Sequence, residues 1–180
     1  DIYTGACHKW MLTPKGCSFL YINEEFKNRF DPLIISWGYN VNSNFSDHHE
    51  LQGTRDYSAF LTIPTAVQFL KNNDWKSVSN TCKQMVLSNY EKTASILNGK
   101  PICPVSADYL GQICSSSVKT VAPERLKAIL YNEFNIEVPI MELNDSIYLR
   151  FSAQAYIDQN DIDLLHQALE TIKKQTNLIE

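Results

Sequence analysis

The sequence predicts a mixed α/β fold from three observations. Short apolar runs bounded by polar or proline residues indicate strands, as at 19–22 and 33–37. Apolar residues spaced three and four apart indicate amphipathic helices, most clearly after Asp74 and after Asp161. With 180 residues and 44% hydrophobic content, the chain can bury a real core and is not disordered by composition.

The first elements are predicted to be strands. Residues 2–4 form a short strand that leads into a turn at Lys9, and the two apolar runs are expected to be buried strands. Residues 39–50 are rich in Asn, Ser, Asp and His, so we expect a loop there.

Two helices follow. The first starts at Arg55, and we expect a kink or a break at Pro64, because proline removes a backbone donor and clashes with the preceding turn. The second is long: Asp74 caps it and Gly99 ends it. Its apolar positions are Trp75, Val78, Cys82, Met85, Val86, Tyr90, Ala94 and Leu97.

The last third of the chain alternates strands and helices. We predict a strand at 110–114, a helix after Pro123, and a sheet from 136–141 and 147–151. Residues 161–174 form a closing amphipathic helix. Its core-facing stripe is Ile162, Leu165, Leu169 and Ile172.

Composition excludes several classes of function. The net charge is −4, so the chain lacks the excess of positive charge that is typical of nucleic-acid-binding proteins, and nucleic acid is disfavoured as a partner. No run of about eighteen apolar residues is present, and the first residues do not have the pattern of a signal peptide. The number of cysteines is odd and none has CxxC spacing, which favours reduced thiols over a disulfide framework or a zinc site. Reduced thiols are typical of cytoplasmic proteins, so we expect a cytoplasmic protein. The cysteines are Cys7, Cys17, Cys82, Cys103 and Cys114.

We expect no metal site. His48 and His49 lie between Asp47 and Glu50, but adjacent residues on a strand point to opposite sides and rarely share an ion. We interpret both histidines as loop residues near a subunit interface.

The segment His8-Lys9-Trp10 offers a covalent anchor. A lysine at the end of a short strand can act as a nucleophile under two conditions. Its surroundings must lower the pKa of its ε-amine, and they must hold that amine against a carbonyl. The alternative is a solvated loop lysine beside a buried tryptophan.

The stretch from Asp1 to Gly16 resembles the Schiff-base segment of class V aminotransferase-like enzymes. These enzymes use pyridoxal 5'-phosphate (PLP) on the fold-type I scaffold. The similarity is closest to the isopenicillin N epimerase-like subgroup, and cysteine desulfurases are related to it. The resemblance implies that Lys9 forms the internal aldimine with PLP and that His8 lies near the PLP phosphate.

A second match is Gln-Gly-Thr-Arg-Asp at 52–56. In the family a Gly-Thr pair opens a helix and reaches across a homodimer to the partner's PLP phosphate, which implies that Gly53 and Thr54 bind the cofactor. Glycine allows close backbone approach to an anion, and the threonine hydroxyl is a donor. Taken alone, the string is also typical of a turn with Thr54 as a helix N-cap.

A third match is the Arg-x-Ser strand at 150–152, followed by the closing helix. In the family this arginine binds the α-carboxylate of an amino acid substrate, which assigns Arg150 to substrate binding. Its planar fork pairs with a carboxylate bidentately. The alternative is a strand residue on the solvent face.

The resemblance also implies the domain organisation. Residues 1–99 would be the C-terminal part of the PLP-binding large domain, including the interdomain helix, and residues 100–180 a small C-terminal α+β domain. Only eight residues precede Lys9, whereas fold-type I enzymes carry more than a hundred there. We therefore expect either the C-terminal part of a longer enzyme or a chain whose upstream part exists as a separate polypeptide. In both cases these residues would not form a self-sufficient active site.

The reaction stays open among epimerisation, transamination and elimination at Cα. A cysteine desulfurase, a C–S lyase or a kynureninase-like hydrolase of the same family is the alternative, as is a non-catalytic binding module. Persulfide chemistry is disfavoured because residues 134–146 contain no cysteine. The chain departs from the family pattern at Ala6, Leu51 and Tyr156-Ile157. We expect these differences to affect how the substrate is aligned and not the scaffold.

Overall fold

The computed structural model describes residues 1–180, which form two compact units, Asp1–Asp74 and Trp75–Glu180. The predicted mixed α/β class is confirmed. Contacts group the long helix with the second unit. The domain boundary at residue 99, which places that helix in the first domain, stays a prediction.

The first unit contains a two-stranded antiparallel sheet and short helices. Its elements are β1 (Ile2–Ala6), β2 (Ser18–Ile22), a 3-10 helix (Glu24–Arg29), α1 (Phe45–Glu50), α2 (Ser58–Leu61) and α3 (Ile63–Asn72).

Two predictions for this unit are wrong. The run 33–37 forms no strand. The run 19–22 forms β2 as a strand but buries only Ile22, with Phe19 partly buried against the cluster of Cys7, Cys17 and Ala59. Residues 45–50 are helical where a loop was expected. The helix α1 is set by a capping box, in which Asn44 and Asp47 each accept a hydrogen bond from the other's backbone N–H.

The expected break near Pro64 is confirmed. Helix α2 ends at Leu61, and α3 starts at Ile63 with Pro64 in its first turn. Proline is tolerated there because the first N–H groups of a helix have no intrahelical acceptor. The helical region begins at Ser58 and not at Arg55.

The second unit packs helices against a three-stranded antiparallel sheet of order β3-β5-β4. Its elements are α4 (Trp75–Ile96), β3 (Ile113–Ser117), α5 (Pro123–Phe134), β4 (Ile140–Leu143), β5 (Ser146–Ser152) and α6 (Gln159–Gln175). The predicted helices and the predicted sheet are present, although β3 starts three residues later than the predicted strand at 110. No helix in either unit combines the length and apolar character needed to cross a membrane.

The core of the second unit lies among α4, α6 and the sheet. All four residues of the predicted α6 stripe are buried, which confirms that it belongs to the core. Two polar pairs join α4 to α6: Asn89 and Gln159 exchange amide hydrogen bonds of 2.9 and 3.0 Å, and Thr93 Oγ1 lies 2.9 Å from His166 Nε2.

Candidate active site

Backbone hydrogen bonds hold the turn that carries Lys9. The Cys7 N–H donates to the Cys17 carbonyl at 3.2 Å, which extends the β1–β2 ladder by one residue. The Thr13 N–H returns to the Cys7 carbonyl at 3.2 Å, and the Leu12 N–H donates to the Lys9 carbonyl at 3.3 Å. The main chain around Lys9 is therefore a closed, ordered turn.

A small buried cluster supports this turn from inside the unit. It consists of Cys7, Cys17 and Ala59, with Met11 and Phe60 among the partly buried residues packed against it. Burial raises the pKa of the Cys7 thiol, and a hydrogen bond with Cys17 acts in the same direction. A neutral, buried thiol packs as a small apolar group, so both cysteines serve the fold.

The Lys9 side chain is exposed and makes no hydrogen bond or ion pair within the chain; the one ion pair is Lys27–Glu24. The exposed amine agrees with the alternative of a solvated loop lysine, whereas the neighbouring Trp10 is exposed and not buried. His8 is half-buried, and its Nδ1 atom is buried without a hydrogen-bond partner. Buried polar atoms are normally paired, so this nitrogen lacks a partner that a polar ligand could supply, as do one ring nitrogen each of His48, His49 and His166 and the hydroxyl of Ser116.

Gly53 and Thr54 lie in the segment between α1 and α2. Gly53 has φ +92°, a backbone conformation that suits glycine because a Cβ atom there is strained. The Tyr57 hydroxyl donates to the Gly53 carbonyl at 2.8 Å and closes the segment. Thr54 is exposed and does not cap a helix, because α2 starts four residues later.

Arg55, to which the sequence motifs assigned no role, lies in this segment with its guanidinium near two rings. Its Cζ atom lies 5.8 Å from the Tyr57 ring centre and 5.1 Å from that of Phe60. Its Nη1 donates to Gln52 Oε1 at 2.7 Å. The available sequence signal was an arginine with aromatic residues two and five positions later.

Arg150 belongs to the second unit. It lies on β5 directly opposite Ser115 of β3, between the buried Leu149 and Phe151. Because strand residues alternate in direction, its side chain leaves the sheet on the side away from those two core residues. Arg150 is half-buried and has no carboxylate within ion-pair distance.

Arg150 also lines a cavity of about 390 Å³. Glu137, Ser152 and Asp161 are among the other residues of its wall. Glu137 and Asp161 share this cavity but do not pair with Arg150, so its guanidinium can donate to a carboxylate in bidentate geometry.

The structure therefore places four of the five predicted site residues in the first unit. His8 and Lys9 share one turn, and Gly53 and Thr54 lead into α2, whose Ala59 packs in the cluster beneath that turn. Arg150 lies in the second unit. The histidines at 48 and 49 lie on α1, where their rings stack on Tyr39 and Phe45 at 4.6 and 4.2 Å.

The sequence matches the family model described as aminotransferase class-V over residues 1–165. The chain belongs to the aminotransferase class-V family. Among curated proteins, it is 26% identical to isopenicillin N epimerase of Amycolatopsis lactamdurans, an alignment that covers 97% of this chain and 47% of that protein. The chain thus spans about half the length of the curated relatives it matches.

Solved structures confirm the fold. The apo structure of a cysteine desulfurase from Thermococcus onnurineus NA1 superposes with a TM-score of 0.79 at 19% identity, over 97% of this chain and 47% of that one. A mutant of the cystine C–S lyase C-DES, with glycine covalently linked to its PLP cofactor, superposes with a TM-score of 0.66 at 16% identity, over 94% of this chain and 46% of that one.

These comparisons agree with PLP as the expected cofactor, and the residues of the first unit fit it chemically. The turn presents an unpaired amine at Lys9 and an open imidazole nitrogen at His8. The segment between α1 and α2 presents a positive-φ glycine, an exposed hydroxyl at Thr54 and a guanidinium at Arg55. An amine suits the aldehyde of PLP, and the other donors suit a phosphate.

Proposed function

We propose that this class-V chain supplies the cofactor lysine and the substrate-binding arginine of a PLP-dependent enzyme that acts at Cα of an amino acid or a related amine. The observation that carries the proposal is the Lys9 turn: within a family match over residues 1–165, it holds an unpaired amine next to the buried, unpartnered Nδ1 of His8. A turn fixed by backbone bonds and presenting those two groups is a suitable anchor for a small aldehyde.

Four residues would hold the cofactor. Lys9 would bind it covalently through Nζ, and His8 would hydrogen-bond to it through the open ring nitrogen. Gly53 and Thr54 would contact its phosphate, the glycine by close backbone approach and the threonine by its hydroxyl. The bound cofactor draws electrons from Cα of the substrate and so makes a bond at that atom easier to break.

Arg150 would orient the substrate. Its guanidinium would pair with the α-carboxylate through two parallel hydrogen bonds, which fixes the position of Cα as well as the affinity. After the amino group of the substrate has displaced Lys9 from the cofactor, the freed Lys9 amine would act as the general base that removes the proton from Cα. Epimerisation, transamination and elimination share this step and differ in where the proton and electrons go next.

We further propose that the enzyme is a homodimer with shared active sites, in which Thr54 of one subunit serves the cofactor of its neighbour. The resemblance of the segment 52–56 to the family motif supports this assignment. Five free thiols support a reducing compartment, and we propose the cytoplasm.

A C–S lyase is the second candidate, because solved relatives include a cystine C–S lyase and a cysteine desulfurase. A route through an enzyme persulfide is disfavoured on this chain. Burial strongly raises the pKa of the Cys114 thiol, so it is not a thiolate near neutral pH, and only the thiolate is nucleophilic. A lyase that works on a sulfur-containing substrate without an enzyme cysteine remains compatible with the residues.

The test uses the full-length protein. Reduction with borohydride in the presence of PLP, followed by peptide mass spectrometry, should locate a pyridoxyl group on Lys9. Lys9→Ala should remove the label and lower kcat by roughly 10²- to 10⁴-fold, the usual contribution of a general base. Lys15→Ala, at another exposed lysine six positions along, should retain both the label and the activity.

A label on a different lysine, or full activity in Lys9→Ala, would exclude the proposed role. Failure of the full-length protein to take up PLP would favour a non-catalytic module. Products identify the reaction: alanine with sulfide indicates desulfuration, and pyruvate with ammonia indicates lysis. Solvent deuterium at Cα with inverted configuration indicates epimerisation.

A further inference from the structure

The Arg55 side chain is exposed and lies beside two aromatic rings. Its guanidinium lies within 5.8 Å of the ring centre of Tyr57 and 5.1 Å of that of Phe60, and Nη1 donates to Gln52 Oε1 at 2.7 Å. Gln52 is itself anchored, because its Nε2 donates to the His49 carbonyl at 2.8 Å.

This guanidinium has no counter-ion. No carboxylate lies within ion-pair distance of Arg55, although Asp56 is the next residue. The Asp56 carboxylate instead accepts the Ser58 backbone N–H at 2.8 Å, and that hydrogen bond lowers the pKa of Asp56. An arginine has five N–H donors, and Arg55 uses one of them in the described hydrogen bonds.

The surroundings of the guanidinium favour an oxyanion. Arg55 directly follows Gly53 and Thr54, which contribute a positive-φ backbone and an exposed hydroxyl but no charge. Tyr57 and Phe60 lie near the guanidinium, and four of its five N–H donors are not used in the described hydrogen bonds. Phosphates and carboxylates match the edge of a guanidinium with two parallel hydrogen bonds.

We propose that Arg55 is the charged oxyanion-binding residue of the Gly53–Thr54 segment. The inference rests on the proposed PLP-dependent function and extends it, since it assigns the positive charge that the neutral Gly-Thr pair lacks. The oxyanion is the phosphate of the cofactor or an acidic group on the side chain of the substrate. Both present oxygen atoms to the same guanidinium edge, and binding measurements separate them.

The experiment compares Arg55→Gln and Arg55→Lys with the wild type in the full-length protein. Dissociation constants are measured for PLP and for pyridoxal, which lacks the phosphate, and inorganic phosphate is titrated as a competitor. KM is measured for an amino acid with an acidic side chain and for one with a neutral side chain. Arg29→Gln is the matched control, because Arg29 is also exposed and lies 5.2 Å from a ring centre, that of Phe26.

If the cofactor supplies the oxyanion, Arg55→Gln should weaken PLP binding by about 10- to 100-fold, the usual effect of losing charge-assisted hydrogen bonds, and leave pyridoxal binding unchanged. Arg55→Lys should restore part of the affinity, because it keeps the charge and loses the fork. If the substrate supplies it, PLP affinity should be unchanged and KM should rise for the acidic amino acid alone.

The proposal is overturned if Arg55→Gln behaves like Arg29→Gln in both arms. It is also overturned if PLP and pyridoxal lose affinity equally, since that result indicates a packing role for the guanidinium. These outcomes differ from failure of the proposed function, in which the wild type binds no PLP and Lys9 is not labelled. In that case direct binding of inorganic phosphate decides the role of Arg55, and equal binding by wild type and Arg55→Gln rejects it.

Discussion

The two units of this chain use apolar residues in opposite ways. In the second unit Leu149 is 0% exposed, within a continuous core of helix and sheet residues. In the first unit Leu33 is 103% exposed and Trp37 is 85% exposed, and the buried cluster has only three members. An apolar run is therefore buried only where another element of the same unit packs over it.

The proposed cofactor residues lie in the unit with the smaller core. Local bonds order that unit: the capping box of α1, the Tyr57–Gly53 hydrogen bond and the backbone bonds around Lys9. The second unit is ordered by long-range pairs such as Thr93–His166 and Asn89–Gln159. Binding residues are often carried by turns and loops.

The largest effect should come from a matched pair of leucines. Leu149→Ala should lower the free energy of unfolding by about 2–5 kcal/mol, because it leaves a cavity in the core. Leu33→Ala should change it by less than about 0.5 kcal/mol, because the side chain is already in solvent. Urea unfolding followed by circular dichroism gives both values, and equal losses would refute the contrast between the units.

A smaller effect is expected at a pair of glycines in the second unit. A Cβ atom on Gly99 would lie 1.6 Å from the Ser117 carbonyl oxygen, whereas Gly111 has nothing within 4 Å of that position. Gly99→Ala should therefore cost about 1–3 kcal/mol through forced backbone shifts, measured by the same unfolding experiment. Gly111→Ala is the control and should be close to neutral, so a cost as large as that of Gly99→Ala would show that the backbone contact is not the cause.

The smallest effect concerns pH and the α4–α6 interface. Burial lowers the pKa of His166 below its ordinary value of 6.5; the charge of Lys92 also lowers it, while Asp163 and Glu170 oppose the shift. The unfolded chain therefore binds a proton near pH 6.5 that the folded chain resists. Stability from this residue is fully present above that pH and is lost as the pH falls towards the lowered pKa of the folded state.

Unfolding free energies measured from about pH 7.5 to 5 test this linkage. In His166→Gln the part of the pH dependence that is due to the imidazole should disappear. An unchanged pH dependence in that variant would mean that other groups carry it.

Patterns that depend on neighbours along the chain were predicted correctly. The α6 stripe, the long helix α4 and the break at Pro64 follow from helical spacing and from the missing proline donor, and the structure contains each of them. The run 33–37 was predicted wrongly, because periodicity identifies apolar residues but not the surface that covers them. Helix α1 was predicted as a loop because its residues are mostly polar, although Asn44 and Asp47 have the spacing of a capping box.

The sequence by itself determined the family and the mixed α/β class, because motif order and helical spacing are linear properties of the chain. It also predicts the site residues His8, Lys9, Gly53, Thr54 and Arg150, and their roles stay predictions. Only the tertiary structure showed the unpartnered Nδ1 of His8 and the guanidinium of Arg55 near two rings. Burial, ring contacts and the lack of a counter-ion are properties of atoms brought together in space, so spacing along the chain does not contain them.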